Sequence, residues 1–206
     1  MSVYEIFVTE TDIKIGLWKL TETPEELQAL GNNSLYYDLF KKHHTVKRQK
    51  EVLASRLLLR QLTGEDNAVN YTASGRPCLQ GDLSGISISH TGDIVAVALH
   101  PQKNIGIDIE KIGEKISRVS GRFIGREELF LQNPVGLHLA WSIKEALYKA
   151  IQAEGIDLIK HLHIHPFELQ ESGIFTAHET RTSQQYTYKG YYKIYPSFVL
   201  ACCIQV

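Results

Sequence analysis

"NIGIDIE", residues 104–110, alternates isoleucine with glycine and carboxylate. Successive side chains of a strand point to opposite faces, so Ile105, Ile107 and Ile109 share one face while Gly106, Asp108 and Glu110 share the other. Two carboxylates then stand side by side. That is unfavourable unless the face is solvated, one group holds a proton, or a cation lies between them. A hard, oxygen-seeking ion such as Mg²⁺ suits such a pair, and an exposed strand face before a turn is the plain alternative. The heptapeptide leaves these readings open, and the segments around it have to choose.

The 206 residues suit one large domain or two small ones. With 43% hydrophobic and 22% charged residues the composition is that of an ordinary globular protein. A net charge of −1 gives no global attraction for nucleic acid or an anionic membrane. No basic leader precedes an apolar block, and no window approaches a membrane span, so a cytoplasmic location is expected. Cys78, Cys202 and Cys203 form no CxxC pattern and read as reduced core thiols.

Strand-like runs occur at 3–8, 13–20, 85–90, 93–100, 104–112, 161–169 and 191–206. Helical runs lie between them. "TPEELQAL" (23–30) offers Thr23 as cap, Pro24 in the first turn and Glu25 and Glu26 at the positive end of the helix dipole. Residues 38–62 carry Leu39, Val46, Leu53, Leu57 and Leu58 at near-helical spacing and predict one long helix. "REELFL" (126–131) and "HLAWSIKEALYKAIQ" (138–152) are the later helices. The order strand, "EEL" helix, long helix occurs twice, about 90–100 residues apart, a small-domain size. Two related α+β lobes are expected, residues 1–103 and 104–206, with a ligand cleft between them.

In "WSIKEALYK" (141–149), Trp141, Glu145 and Lys149 fall on one helix face. Glu145 and Lys149 are a surface salt bridge in the plain reading. In the functional one, Glu145 completes a cation site with Asp108 and Glu110, and Lys144 and Lys149 hold the oxygens of a pyrophosphate. "SISHTGD" puts Ser89 and His90 at a turn, and "SGRPCL" puts Arg76 on a Gly-Arg-Pro turn suited to an anion.

Taken in order, "GRP" (75–77), "ISISH" (86–90), "IGIDIE" (105–110), "RFIGREEL" (122–129) and "WSIKEALYK" (141–149) resemble the signature of the 4′-phosphopantetheinyl transferases, in their larger, two-lobed type. The resemblance implies an α+β fold of two similar lobes related by pseudo-twofold symmetry. It also implies transfer of the phosphopantetheine arm of coenzyme A to a serine of an apo acyl or peptidyl carrier protein, releasing adenosine 3′,5′-bisphosphate. By the same resemblance Asp108, Glu110 and Glu145 bind Mg²⁺, and Glu145 takes the serine proton. Ser89, His90, Arg76 and Lys149 contact coenzyme A, together with Arg56 and the nearby Lys47, Arg48 and Lys50. Family members often have lysine where Arg76 stands. Glu128 matches a further family acid, with Glu127 as competitor.

Lys111, Lys115, Arg118, Arg122 and Arg126 are interleaved with Ile112, Ile116, Val119 and Phe123. Arg118, Arg122 and Phe123 are expected to dock an acidic carrier, charge steering its approach and apolar anchors supplying affinity. His161, His163 and His165 alternate as a Zn²⁺ site would, though an exposed strand face explains them better. Two other functions compete: a Mg²⁺-dependent phosphohydrolase, and a non-catalytic module that binds coenzyme A or a carrier. Two lobes in one chain predict a monomer.

Overall fold

The computed structural model describes residues 3–79, 85–151 and 153–206. The chain is mixed α+β and divides into two compact units, Met1–Pro101 and Gln102–Val206.

The first unit holds strands β1 (Val3–Val8) and β2 (Lys14–Lys19), helices α1 (Pro24–Gly31), α2 (Ser34–Lys42) and α3 (Val46–Thr63), and strands β3 (Val69–Tyr71), β4 (Pro77–Leu79), β5 (Gly85–Thr91) and β6 (Ile94–His100). Its antiparallel sheet runs β1-β2-β6-β5, and β3 and β4 form a separate ladder. All seven residues of β6 are buried, as the apolar run "IVAVALH" requires of a central strand. α3 packs on β2 and β6, burying Leu53, Leu57 and Leu58 with Trp18 and Val97. α1 carries the expected capping box: Thr23 Oγ1 accepts from Glu26 N–H, and the Glu26 carboxylate accepts from Thr23 N–H.

The helix predicted over 38–62 is two helices. α2 stops at Lys42, His43 is extended, and Thr45 caps α3 by accepting from Arg48 N–H at 3.3 Å. No glycine or proline marks the break. The threonine hydroxyl satisfies one of the backbone donors that a continuous helix would have bonded internally.

In the second unit β7 (Ile105–Lys111) is followed by three short 3₁₀ turns, helix α4 (Pro134–Ala150), and strands β8 (Leu162–Ile164), β9 (Ser172–Glu179), β10 (Thr187–Ile194) and β11 (Phe198–Gln205). The antiparallel sheet runs β7-β11-β10-β9-β8. "REELFL" is one of the 3₁₀ turns, too short to settle as an α-helix. α4 begins where Asn133 Oδ1 accepts from Gly136 N–H at 2.8 Å and Pro134 takes the first helical position. It ends at Ala150, short of the predicted end; Gln152 lies outside the described residues. Cys202 and Cys203 are buried in β11 and, like Cys78, carry no disulfide.

One face of β7 was expected either to meet a cation or to be exposed. Helix α4 covers it. Gly106 makes this possible: a Cβ there would lie 1.8 Å from the carbonyl oxygen of Ala146. Without that Cβ the helix backbone rests directly on the strand, and residues 105–109 are buried on both faces.

Candidate active site

The close approach of α4 to β7 brings its polar stripe onto Asp108. Ser142, Glu145 and Lys149 are spaced i, i+3 and i+7, so they follow one face of the helix. Ser142 Oγ donates to Asp108 Oδ2 at 3.0 Å, and Lys149 Nζ donates to Asp108 Oδ1 at 2.8 Å and to the Ile107 carbonyl at 2.9 Å. Asp108 is only 7% exposed, so these charge-assisted bonds hold a carboxylate that would otherwise be costly to bury.

Glu110 and Glu145 are half-buried. Burial first, then the charges of Asp108 and Glu145, push the Glu110 carboxyl above the usual range. Glu145 is raised by burial and by Asp108, with Lys149 opposing the shift. The three carboxylates therefore feel one another, and a cation would relieve all three.

No group of three His, Cys, Asp or Glu side chains among the described residues is arranged to enclose a metal ion. Mg²⁺ does not require such a cage, because it keeps several waters and is usually held by one or two carboxylates plus substrate phosphates. The donor set, hard carboxylate oxygens of which Glu110 and Glu145 are held above their usual range, suits that ion.

Lys144, expected on phosphate oxygens, is fully buried. Its Nζ donates to Glu128 Oε2 at 2.6 Å and to the Leu158 carbonyl at 2.8 Å. Burial pulls its pKa down, and the Glu128 carboxylate opposes the shift. Lys144 lies on the far side of α4 from Asp108 in helical phase, which removes it from any phosphate. Glu128 binds three donors at once: Lys144, Gly125 N–H at 2.8 Å and Ile164 N–H at 3.0 Å. Together they lock a 3₁₀ turn, α4 and β8.

A cavity of about 810 Å³ opens beside Glu110, lined by Ile116, Val119 and Trp141 among others, with Lys115 and Arg118 also in its wall. Arg118 and Arg122 are exposed. Phe123, expected as a docking anchor, is completely buried and meets Trp141 edge-on at 5.2 Å between ring centroids. It holds the loop to α4 and offers no outer surface. His138 fastens the same loop at its other end: its Nε2 accepts from Gly113 N–H at 3.0 Å, while Nδ1 lies 2.8 Å from the Pro134 carbonyl.

The first unit holds the remaining predicted contacts. Arg56 is buried on α3, donating to Ser55 Oγ at 3.0 Å and to the Tyr71 hydroxyl at 3.2 Å. Arg76 follows Gly75, whose φ of +80° makes the turn that Arg76 N–H closes on Thr72 Oγ1 at 3.1 Å. Ser89 is buried on β5 and His90 exposed beside it. His90 faces Arg48 and Glu51 of α3.

The three alternating histidines do not converge. His161 accepts from Asp157 N–H, whereas His163 and His165 both meet His178 of β9, with ring centroids 4.7 and 5.0 Å apart. Sequence reasoning missed Ser142 and Glu51. Ser142 was discoverable as the residue three before Glu145 and seven before Lys149. Glu51 carried no signal, because one acid among basic helix residues looks like surface.

Residues 104–203, just under half of the chain, match the family model of the 4′-phosphopantetheinyl transferase superfamily. Among curated proteins the chain is similar to the L-aminoadipate-semialdehyde dehydrogenase-phosphopantetheinyl transferases of Homo sapiens and Pongo abelii. It is 28% identical to each over 163 residues, covering 62% of this chain and 47% of theirs. The chain thus spans about half the length of these distant relatives. No helix among the described residues is long and apolar enough to cross a membrane.

Proposed function

We propose that the protein transfers 4′-phosphopantetheine from coenzyme A to a serine of an apo acyl or peptidyl carrier protein, releasing adenosine 3′,5′-bisphosphate. The observation that carries this reading is the set formed by Asp108, Glu110, Glu145 and Lys149, three electrostatically coupled carboxylates with a lysine fixed among them. It lies inside the segment matched to the superfamily, on the motifs that resemble the family's. In this reading Arg56, Arg76, Ser89 and His90 of the first unit hold coenzyme A.

Asp108, Glu110 and Glu145 would hold Mg²⁺, which when bound supplies positive charge to the pyrophosphate. Lys149 is restrained by Asp108 and the Ile107 carbonyl, so its ammonium meets a phosphate oxygen with little further ordering cost. Glu145 accepts the serine proton, directly or through one water. The serine oxygen then bonds to the phosphorus bearing the pantetheine arm, and the P–O bond to the departing bisphosphate breaks. The cavity beside Glu110 admits the acceptor, with exposed Arg118 and Arg122 steering an acidic carrier. The chain acts as a monomer in this reading.

The test is the intact mass of an apo carrier incubated with the protein, coenzyme A and Mg²⁺, beside an Asp108→Ala control. One added phosphopantetheine group, absent with the variant, is expected. Adenosine bisphosphate released without a carrier would instead mark a phosphohydrolase, and coenzyme A binding with no transfer to several unrelated carriers a binding module.

A further inference from the structure

Glu51 is a carboxylate to which the proposed transfer gives no role. It is 5% exposed, and its Oε1 accepts no hydrogen bond among the described residues. Leaving a buried acceptor unsatisfied is costly, more so when it is charged, so it requires an explanation. The groups around it are basic. Arg48 NH1 donates to Glu51 Oε2 at 3.3 Å and also lies 3.5 Å from His90 Nε2. His90 Nδ1 is 3.3 Å from the orphaned Oε1, and Lys47 Nζ is 3.8 Å from it. The acid is hidden while its partners face outward: Arg48 is 45% and His90 41% exposed.

This arrangement fixes a tautomer. Arg48 can only donate, so Nε2 is the acceptor in that contact, which leaves the ring proton of a neutral imidazole on Nδ1, on the Glu51 side but out of hydrogen-bond alignment with Oε1. A phosphate oxygen at Nε2 is also an acceptor, so it binds there only after the ring takes a second proton from solvent. The imidazolium then gives the orphaned carboxylate oxygen a counter-charge, and Arg48 turns to another oxygen of the same anion. Besides Arg48, Glu51 and Lys47 from α3, His43 is a titratable group near Arg48, and the cross-strand neighbour of His90 is the apolar Val95.

We propose that Glu51 is a positioning residue for anion binding in the first unit, holding His90 and Arg48 so that capture of a phosphate group is coupled to proton uptake by the imidazole. The inference rests on the reading of His90 as a coenzyme A phosphate contact. It predicts tighter binding as the pH falls and the imidazole gains its second proton.

The test is isothermal titration of coenzyme A into the whole protein at about pH 7.5, in buffers of different ionisation enthalpy, which counts the protons taken up. The natural sequence should take up a measurable fraction of a proton per ligand. Glu51→Gln should lower that uptake by at least half and weaken binding by roughly 3- to 10-fold. If Glu51→Gln weakens binding but keeps the full uptake, the residue is merely structural and the proposal falls. Should that variant not fold, His90→Gln decides: uptake that survives the loss of the imidazole overturns the idea. Inorganic pyrophosphate is titrated in parallel. Glu51-dependent uptake with pyrophosphate, alongside failed carrier modification, would retain this inference and sink the transferase reading. Carrier modification with uptake indifferent to Glu51 would do the reverse, and no binding of either anion would sink both.

Discussion

Lys144 and Lys149 stand five residues apart on one helix and do opposite things. Lys149 reaches Asp108 at the edge of the site, whereas Lys144 is sealed against Glu128. Removing one member of a buried pair strands the other charge, at about 3–5 kcal/mol. Lys144→Met should therefore lower unfolding stability in urea by that amount, and adding Glu128→Gln should restore part of it. A loss under 1 kcal/mol would show that the pair is not sealed. From sequence the two lysines look alike, since each falls near a carboxylate in "WSIKEALYK". What separates them is which side of α4 meets β7 and which meets the 3₁₀ turn, a long-range fact. Asp108, Glu145 and Lys149 were legible because the period of two in the strand and the i,i+4 spacing in the helix are local. Ser142 belongs to the same stripe, but its partner lies 34 residues upstream.

The pairing of β7 with α4 depends on Gly106. Its missing Cβ is what lets the Ala146 carbonyl rest on the strand. A methyl group 1.8 Å from a backbone oxygen cannot be absorbed by a rotamer change, so the helix itself must move. Gly106→Ala is expected to cost about 3 kcal/mol or more, and to abolish carrier modification by pulling Ser142 and Lys149 off Asp108. Thermal unfolding and the mass assay check the two halves separately; a variant with natural stability and activity would refute the close-packing account. Most elements were legible in the sequence because their cues are local: Thr23 with Pro24 opens α1, and alternation marks β7. The division between α2 and α3 was not, because the hydrophobic spacing runs through it without a break.

Across the molecule, acid stability has an identifiable source. Glu179 is fully buried at the end of β9, where burial alone would raise its pKa. The Thr182 hydroxyl and the backbone N–H groups of Thr182, Tyr186 and Arg181 outweigh that and hold the carboxyl below its ordinary range. A depressed folded-state pKa stabilises fully above the unfolded value, about 4.3 for glutamate, and that contribution is lost as pH falls through the lower folded value. Glu179→Gln should therefore lower stability near neutrality and flatten its decline below about pH 4.5, as read from urea midpoints across pH. A variant whose acid limb matches that of the natural sequence would show that Glu179 carries none of it.

The three thiols also divide the chain in a way useful at the bench. Cys202 and Cys203 are enclosed in β11, and burial pushes Cys202 up to about 12 and Cys203 well above the ordinary thiol. Maleimide chemistry near neutral pH acts on accessible thiolate, so the folded chain presents it with Cys78. That residue lies on β4, two positions after Arg76, so the natural sequence already carries an attachment point for a fluorophore beside a proposed nucleotide contact.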